Sequence, residues 1–283
     1  MTTVVCWLNK ERGVNQIWAV SDTRISKQNS YLSGNNYSIL LDSGAKLFPL
    51  YIKCRNISDF DDRIYFDHSL GMAYSGSSLI GLNLYATLVY LLQNCASFNE
   101  GEVPSILDIA NFVASLLKRM TTEVGIINPT GAICELAIFG FCHVSSEFKI
   151  IHLYPDTKNS TLDIVVKEEN TSDDSNLLLL GDKREQIRQL IEKKRAEYVE
   201  KDFLWWHSPI EVIRNIVEEA KFDTIGGSIQ RCIAAESEFK IYADAFSRKE
   251  GVQEETMLYQ NIGNKEMVNI GNCFIAVPIF PIF

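Results

Sequence analysis

The order in which strand-like and helix-like segments follow one another constrains this chain more than any other feature. Residues 2–8 are β-branched and aromatic without a breaker, and residues 16–21 repeat that character after the charged turn 9–13, which predicts a hairpin at the N-terminus. Residues 46–53 and 70–75 supply two more strands, with Pro49 marking an edge or a bulge in the first. Ser77-Ser78 offers N-cap oxygens to a helix over 79–94, and Pro104-Ser105 opens a second with apolar spacing from Ile106 to Leu117. Strands return at 134–142, 148–154, 162–167 and 177–180. Gly181 precedes a charged helix over 183–200, Ser208-Pro209 begins another that ends near Lys221, and after Gly226-Gly227 come strands at 228–234 and 239–246. Strands, a helix pair, strands, a helix pair and strands again describe two sheets with helices outside them. The strands come in hairpin-like runs and do not alternate singly with helices, so a four-layer α+β arrangement is expected in place of a doubly wound sheet.

Composition excludes several classes. The chain of 283 residues is 46% apolar with 16 Gly and 7 Pro, which rules out disorder and collagen-like repetition. Its 27 basic and 36 acidic residues give a net charge of −9, which argues against a partner recognised through phosphates, because nucleic-acid affinity comes mainly from clustered Lys and Arg. The seven cysteines form no CxxC pair and are read as reduced thiols, with Cys134, Cys142 and Cys232 in apolar runs where thiols pack as small hydrophobes. His68, His143, His152 and His207 have no metal-ligand spacing, so neither a metal site nor a cofactor is expected. Trp205-Trp206-His207 reads as a packing or interface patch. No basic segment leads into a long apolar stretch at the N-terminus, and the apolar run 79–92 is too short to span a bilayer; the expectation is a cytoplasmic protein with no membrane partner. No internal repeat, low-complexity tract or linker divides the chain. The tail from 266 to 283 ends in FIAVPIFPIF, which is too apolar to be free and is expected to dock on the body or on a neighbouring subunit.

One pattern carries chemistry. With the initiator Met removed, the chain begins at Thr2, a residue with both a hydroxyl and a free α-amine. An α-amine with a pKa near 8 is partly neutral at physiological pH and can take the hydroxyl proton. A nearby cation favours the alkoxide, and a carboxylate orients that cation. Asp22 at the end of the second strand and Lys46 at the start of the third are the candidates, because neighbouring strands bring their ends together beside Thr2. Each also has an ordinary reading: Asp22 as a turn cap, Lys46 as a solvated strand-end lysine, and the 75–78 segment as a simple helix start.

TTVV, AVSDTRIS, GAKLF and MAYSGSS followed by a long apolar helix together resemble the proteasome β-subunit and HslV-like family of N-terminal nucleophile (Ntn) hydrolases. The resemblance implies that family's αββα sandwich over most of the chain. It implies Thr2 as nucleophile with its own amine as base, Asp22 as carboxylate partner, Lys46 as the cation, and the Gly76 amide as oxyanion donor. It makes Arg24 a supporting arginine, Asp223 a further supporting carboxylate, and Tyr74 the base of a pocket that favours small side chains. It further implies a peptide or unfolded-protein substrate, a homo-oligomeric ring or part-ring, and an ATPase unfoldase as partner. The chain departs from the family at Gly181-Asp182-Lys183, where a supporting serine is missing, and at FDTIGG, where the spacing is one residue short. Insertions near 27–43 and 53–69 and the apolar C-terminal extension make this single domain, 1–283, longer than compact members. The activity expected is therefore that of a threonine peptidase; the alternatives are a catalytically silent structural or assembly protein and an Ntn amidase acting on a small non-peptide amide.

Overall fold

A computed structural model of the protein describes residues 3–28, 37–56, 63–99, 101–156, 162–245, 257–263, 270–273 and 275–279. Along the chain run β1 (Thr3–Asn9), β2 (Gln16–Asp22), β3 (Ile25–Gln28), β4 (Tyr37–Leu41), β5 (Leu47–Asn56), β6 (Ile64–Gly76), α1 (Ser78–Leu91), β7 (Cys95–Ser97) and α2 (Ile106–Gly125). They are followed by β8 (Cys134–Cys142), β9 (Glu147–Asp156), β10 (Asp163–Glu168), β11 (Leu178–Gly181), α3 (Arg184–Arg195), α4 (Phe203–Glu218), β12 (Ile229–Ala234) and β13 (Phe239–Tyr242). A small sheet of β14 (Asp244–Ala245), β15 (Met257–Tyr259) and β16 (Ile262–Gly263) follows the last of these.

Strand β1 shows how the layers arise. Its side chains alternate, so Val4 and Cys6 point one way and Val5 and Trp7 the other, and all four are buried. Val5 and Trp7 join Trp18 and Val20 against Ile187, Ile191, Trp206 and Ile213 of α3 and α4. Val4 and Cys6 join Ile17 and Ala19 against Leu47, Ala73, Ala137 and Phe139 of a second sheet. That sheet buries its far face, Leu50, Met72 and Leu136 among them, under Leu84 and Leu88 of α1 and Val113 and Leu117 of α2. Strand order is β11-β1-β2-β12-β13 in one sheet and β10-β9-β8-β6-β5-β7 in the other. The result is the four-layer αββα sandwich, an α+β fold.

Local chemistry accounts for the element ends. Ser105 and Asp108 form a reciprocal capping box at the start of α2. Pro49 lies on a stretch of β5 that pairs with β6 alone, since β7 reaches only Cys54 to Asn56. Pro209 does not begin a helix, contrary to the sequence expectation; α4 starts at Phe203, capped by Asp202. A proline inside a helix removes the N–H that would serve the carbonyl four residues back. Here that carbonyl belongs to Trp205, and the Ser208 hydroxyl donates to it at 2.8 Å, so the helix continues. Within the apolar tail, the Pro278 carbonyl accepts from the Ala243 amide at 2.9 Å, which seats this part of the tail on the body.

Of the two segments read as insertions, 27–43 contributes the β3–β4 hairpin, while 53–69 contains the outer part of the β5–β6 ladder, where Lys53 faces Asp67. Residues 29–36 and 57–62 within them lie outside the described residues.

Candidate active site

The end of β2 lies between β1 and β12, and its register places Asp22 opposite Ile229 and next to the Val4–Ser21 pair. Asp22 is fully buried, and its carboxylate is surrounded by donors. Oδ1 accepts from the Thr3 amide at 3.0 Å and from Lys46 Nζ at 2.7 Å. Oδ2 accepts from the Arg24 amide at 3.2 Å and from the Gly226 amide at 3.1 Å. A turn cap needs only the local Arg24 bond; the other three come from remote segments and bury a charge that must be paired.

Lys46 is the partner, and it is also fully buried. Its Nζ donates to Asp22 and to the Arg24 carbonyl, both at 2.7 Å. An ammonium has three protons, and these two acceptors are the ones it meets among the described residues. Burial pushes the Lys46 ammonium below its ordinary value, and Asp22 opposes that shift. Its backbone is held by Gln230, whose side-chain oxygen accepts from the Lys46 and Leu47 amides at 2.9 Å each while its amide donates to the Leu47 carbonyl at 3.0 Å. Gln230 has no signature in the sequence, since it is one polar residue on a strand.

Arg24 points away from the carboxylate it follows. Its Nε donates to Asp42 at 2.7 Å and its Nη1 to the Asp223 carbonyl at 3.3 Å, so Asp223 takes part through its backbone. Thr23, which the sequence reading passed over, joins the same loops: its hydroxyl donates to the Asp42 carbonyl at 2.6 Å and accepts from the Ser228 amide at 2.8 Å. Gly227 has φ +79°, and a side chain there would run into that hydroxyl and the Asp42 carbonyl. The Gly226-Gly227 pair is thus what lets three loops close on Asp22.

Gly76 ends β6 with φ +96°, where a side chain would strike the Ile133 carbonyl. With Ser75, Ser78, Gly181 and Asp182 it lines a cavity of about 1320 Å³. Tyr74 lies behind this wall: its ring is fully buried, packed near Gly81 and 6.0 Å from Phe48, and it is not among the lining residues. Opposite Thr3 in the β1–β11 ladder stands Gly181. The two departures noted in the sequence meet here, because the Thr224 hydroxyl reaches Asp182 Oδ2 at 3.3 Å and so joins the 181–183 turn to the 223–227 loop. Glu135 on β8, not singled out by sequence, accepts from the Gly181 amide at 2.7 Å. Thr2, the expected nucleophile, lies outside the described residues. No group of three or more metal-ligating side chains occurs among the described residues.

No protein-family model and no curated protein matches the sequence. Among solved structures, the helical assembly of the Anbu complex from Pseudomonas aeruginosa is similar over 89% of this chain and 88% of that one, with a TM-score of 0.54 at 12% identity. The fold is proteasome-like. Anbu (ancestral beta-subunit) from Yersinia bercovieri and Anbu from Hyphomicrobium sp. strain MC1 also align, each over 83% of this chain and 82% of theirs, with TM-scores of 0.49 and 0.47 at 11% and 13% identity. These findings correct the family resemblance read from the sequence: the neighbours are Anbu proteins, which are proteasome-like but distinct from HslV and the proteasome β-subunits. The short motifs that suggested the resemblance contain Asp22, Lys46 and Gly76.

Proposed function

We propose that this protein is a threonine-type N-terminal nucleophile hydrolase that cleaves peptide amides through an acyl-enzyme on Thr2, after loss of Met1. The observation that carries the reading is the buried Lys46–Asp22 ion pair whose shared oxygen also holds the Thr3 amide. The Thr3 amide that Asp22 holds is the peptide N–H that joins Thr3 to Thr2 in the chain. The ion pair is therefore next to the residue that would carry both hydroxyl and amine.

In this mechanism the Thr2 hydroxyl oxygen attacks the substrate carbonyl carbon while its proton passes to the α-amine. Lys46 stabilises the developing alkoxide, and Asp22 keeps the ammonium oriented. The oxyanion of the tetrahedral intermediate takes a hydrogen bond from the Gly76 amide, a contribution of about 3 to 4 kcal/mol per donor. Collapse breaks the C–N bond, and the leaving amine takes the proton from the α-ammonium. Water then hydrolyses the Thr2 ester by the reverse sequence of proton transfers. Self-association belongs to the same reading, since the Pseudomonas aeruginosa neighbour is a helical assembly. A cytoplasmic setting and an ATPase that supplies unfolded chains complete it.

The test is intact mass after incubation with a peptide epoxyketone, which reacts with the amine and hydroxyl of an N-terminal threonine. The expected result is loss of Met plus one probe mass, absent in Thr2→Ala, together with a Thr2→Ala protein that keeps its far-UV spectrum but turns over no fluorogenic peptide. Retained Met without adduct, or full turnover by Thr2→Ala, overturns the mechanism and favours a silent assembly protein.

A further inference from the structure

The cavity has a second wall that the proposed reaction does not use. Along it runs a chain of alternating basic and acidic side chains from α3 to β10. Arg184 donates through Nη2 to Glu135 Oε1 at 2.5 Å and through Nε to the Gly181 carbonyl at 2.9 Å. The other oxygen of Glu135 lies 3.2 Å from His152 Nε2. His152 Nδ1 lies 3.8 Å from Glu169, and Lys167 Nζ donates to both Glu169 oxygens at 2.9 and 3.0 Å.

Exposure sorts these charges by sign. The carboxylates are inside, with side chains 9% exposed at Glu135 and 13% at Glu169, while the cations are outside, at 47% for Arg184 and 55% for Lys167. Glu135 is consumed by Arg184, the Gly181 amide and His152, so an entering molecule does not meet it as a bare anion. Arg184, Lys167 and His152 all line the cavity. A guanidinium carries five N–H groups, and Arg184 uses two of them on partners among the described residues. Those two bonds hold its plane in place, which leaves the remaining donors directed by a pre-organised fork of the kind that fits a carboxylate. The two cations and two carboxylates of this wall balance, but the cations stand outward, so an entering molecule meets Arg184 and Lys167 ahead of the carboxylates paired with them.

We propose that Arg184, with Lys167 and His152, forms a subsite for a carboxylate of the substrate, making acidic peptides the preferred class. This rests on the reading of the cavity as the active site. The simpler account of Arg184 is a clamp on the 181–184 turn; a clamp holds the turn whatever the substrate's charge, whereas a subsite discriminates by charge.

The test is equilibrium binding by fluorescence anisotropy to the full-length Thr2→Ala protein, so that no probe is consumed. The probes are fluorescein-labelled hexapeptides that differ by one Glu or Gln, all amidated at the C-terminus, with a parallel set bearing a free C-terminal carboxylate. A Glu peptide is expected to bind about tenfold tighter than its Gln twin, with the gap narrowing as salt is raised. If only the free-acid set gains, the subsite takes the chain terminus in place of a side chain. Arg184→Gln should bring the twins to parity, and Arg184→Lys should retain part of the preference. Lys167→Gln, whose ammonium is more than half exposed, should weaken the preference without disturbing the turn, and it carries the test should Arg184→Gln fail to fold. Equal binding of acid and amide probes by the parent protein, or a preference unchanged in every variant that folds, overturns the proposal. Charge discrimination in a protein that takes no epoxyketone would sink the hydrolase reading and leave Arg184 in a carboxylate-binding site without a substrate to cleave.

Discussion

Asp22 and Lys46 show how much one residue's setting decides. Each had a bland reading on the sequence, a turn cap and a solvated lysine, and the structure seals both from solvent within 2.7 Å of one another. Removing one member of a buried ion pair strands the other charge, at a cost of about 3 to 5 kcal/mol. Lys46→Met should therefore lower the unfolding free energy by that amount in urea titration. Adding Asp22→Asn should recover part of the loss, because no unpaired charge then remains buried. A loss below about 1 kcal/mol for Lys46→Met would show that Asp22 finds another partner or takes up a proton. The type and order of these residues were legible in the sequence. Their neighbours Thr23, Gln230 and Glu135 were not, because a lone hydroxyl, amide or carboxylate on a strand has the same local pattern whether it faces water or another loop.

At the scale of elements, periodicity and breakers located most strands and helices, and α4 shows the limit of such signals. Pro209 reads as a helix start because it lacks an amide, but a serine hydroxyl one residue earlier serves the orphaned carbonyl. The same helix places His207 between the rings of Trp18 and Phe203, at centroid distances of 4.8 and 3.9 Å. Burial, then the nearby Arg231 and Arg214 guanidiniums, push its imidazole down to about 4, with the Glu11 carboxylate 3.5 Å away. An unfolded imidazole titrates near 6.5. Between these values the unfolded chain holds a proton that the folded one does not, so stability falls as pH drops from about 6.5 toward 4. The loss reaches on the order of 3 kcal/mol. Denaturant titrations at pH 7 and pH 4.5 should show a smaller drop in His207→Phe than in the parent; equal drops would mean that His207 is protonated in the folded state.

Across the whole molecule, the site exists because two sheets pack face to face. Asp22 hangs from one sheet, Gly76 and Glu135 from the other, and Lys46 enters from the segment just before β5. Phe139 fills the space between the sheets, fully buried against Gly71 and 6.1 Å from the ring of Phe239. Phe139→Ala should cost about 3 to 5 kcal/mol, in a single transition seen alike by tryptophan fluorescence and far-UV dichroism. Two separated transitions would mean that the layers unfold independently. The sequence by itself determined the alternation of strand runs with helix pairs, the apolar faces, and the placing of an acid, a cation and a glycine at strand ends, since periodicity and turn chemistry act over a few neighbouring residues. Tertiary structure alone decided that Gly226 and Thr3 share one carboxylate with Lys46, that Thr224 answers Asp182, and that the cavity wall from Arg184 to Lys167 turns its cations outward. Those contacts join residues up to about two hundred positions apart; strand pairing within one sheet brings Thr3 and Gly226 to Asp22, and the packing of the second sheet against it brings Lys46 within hydrogen-bond reach.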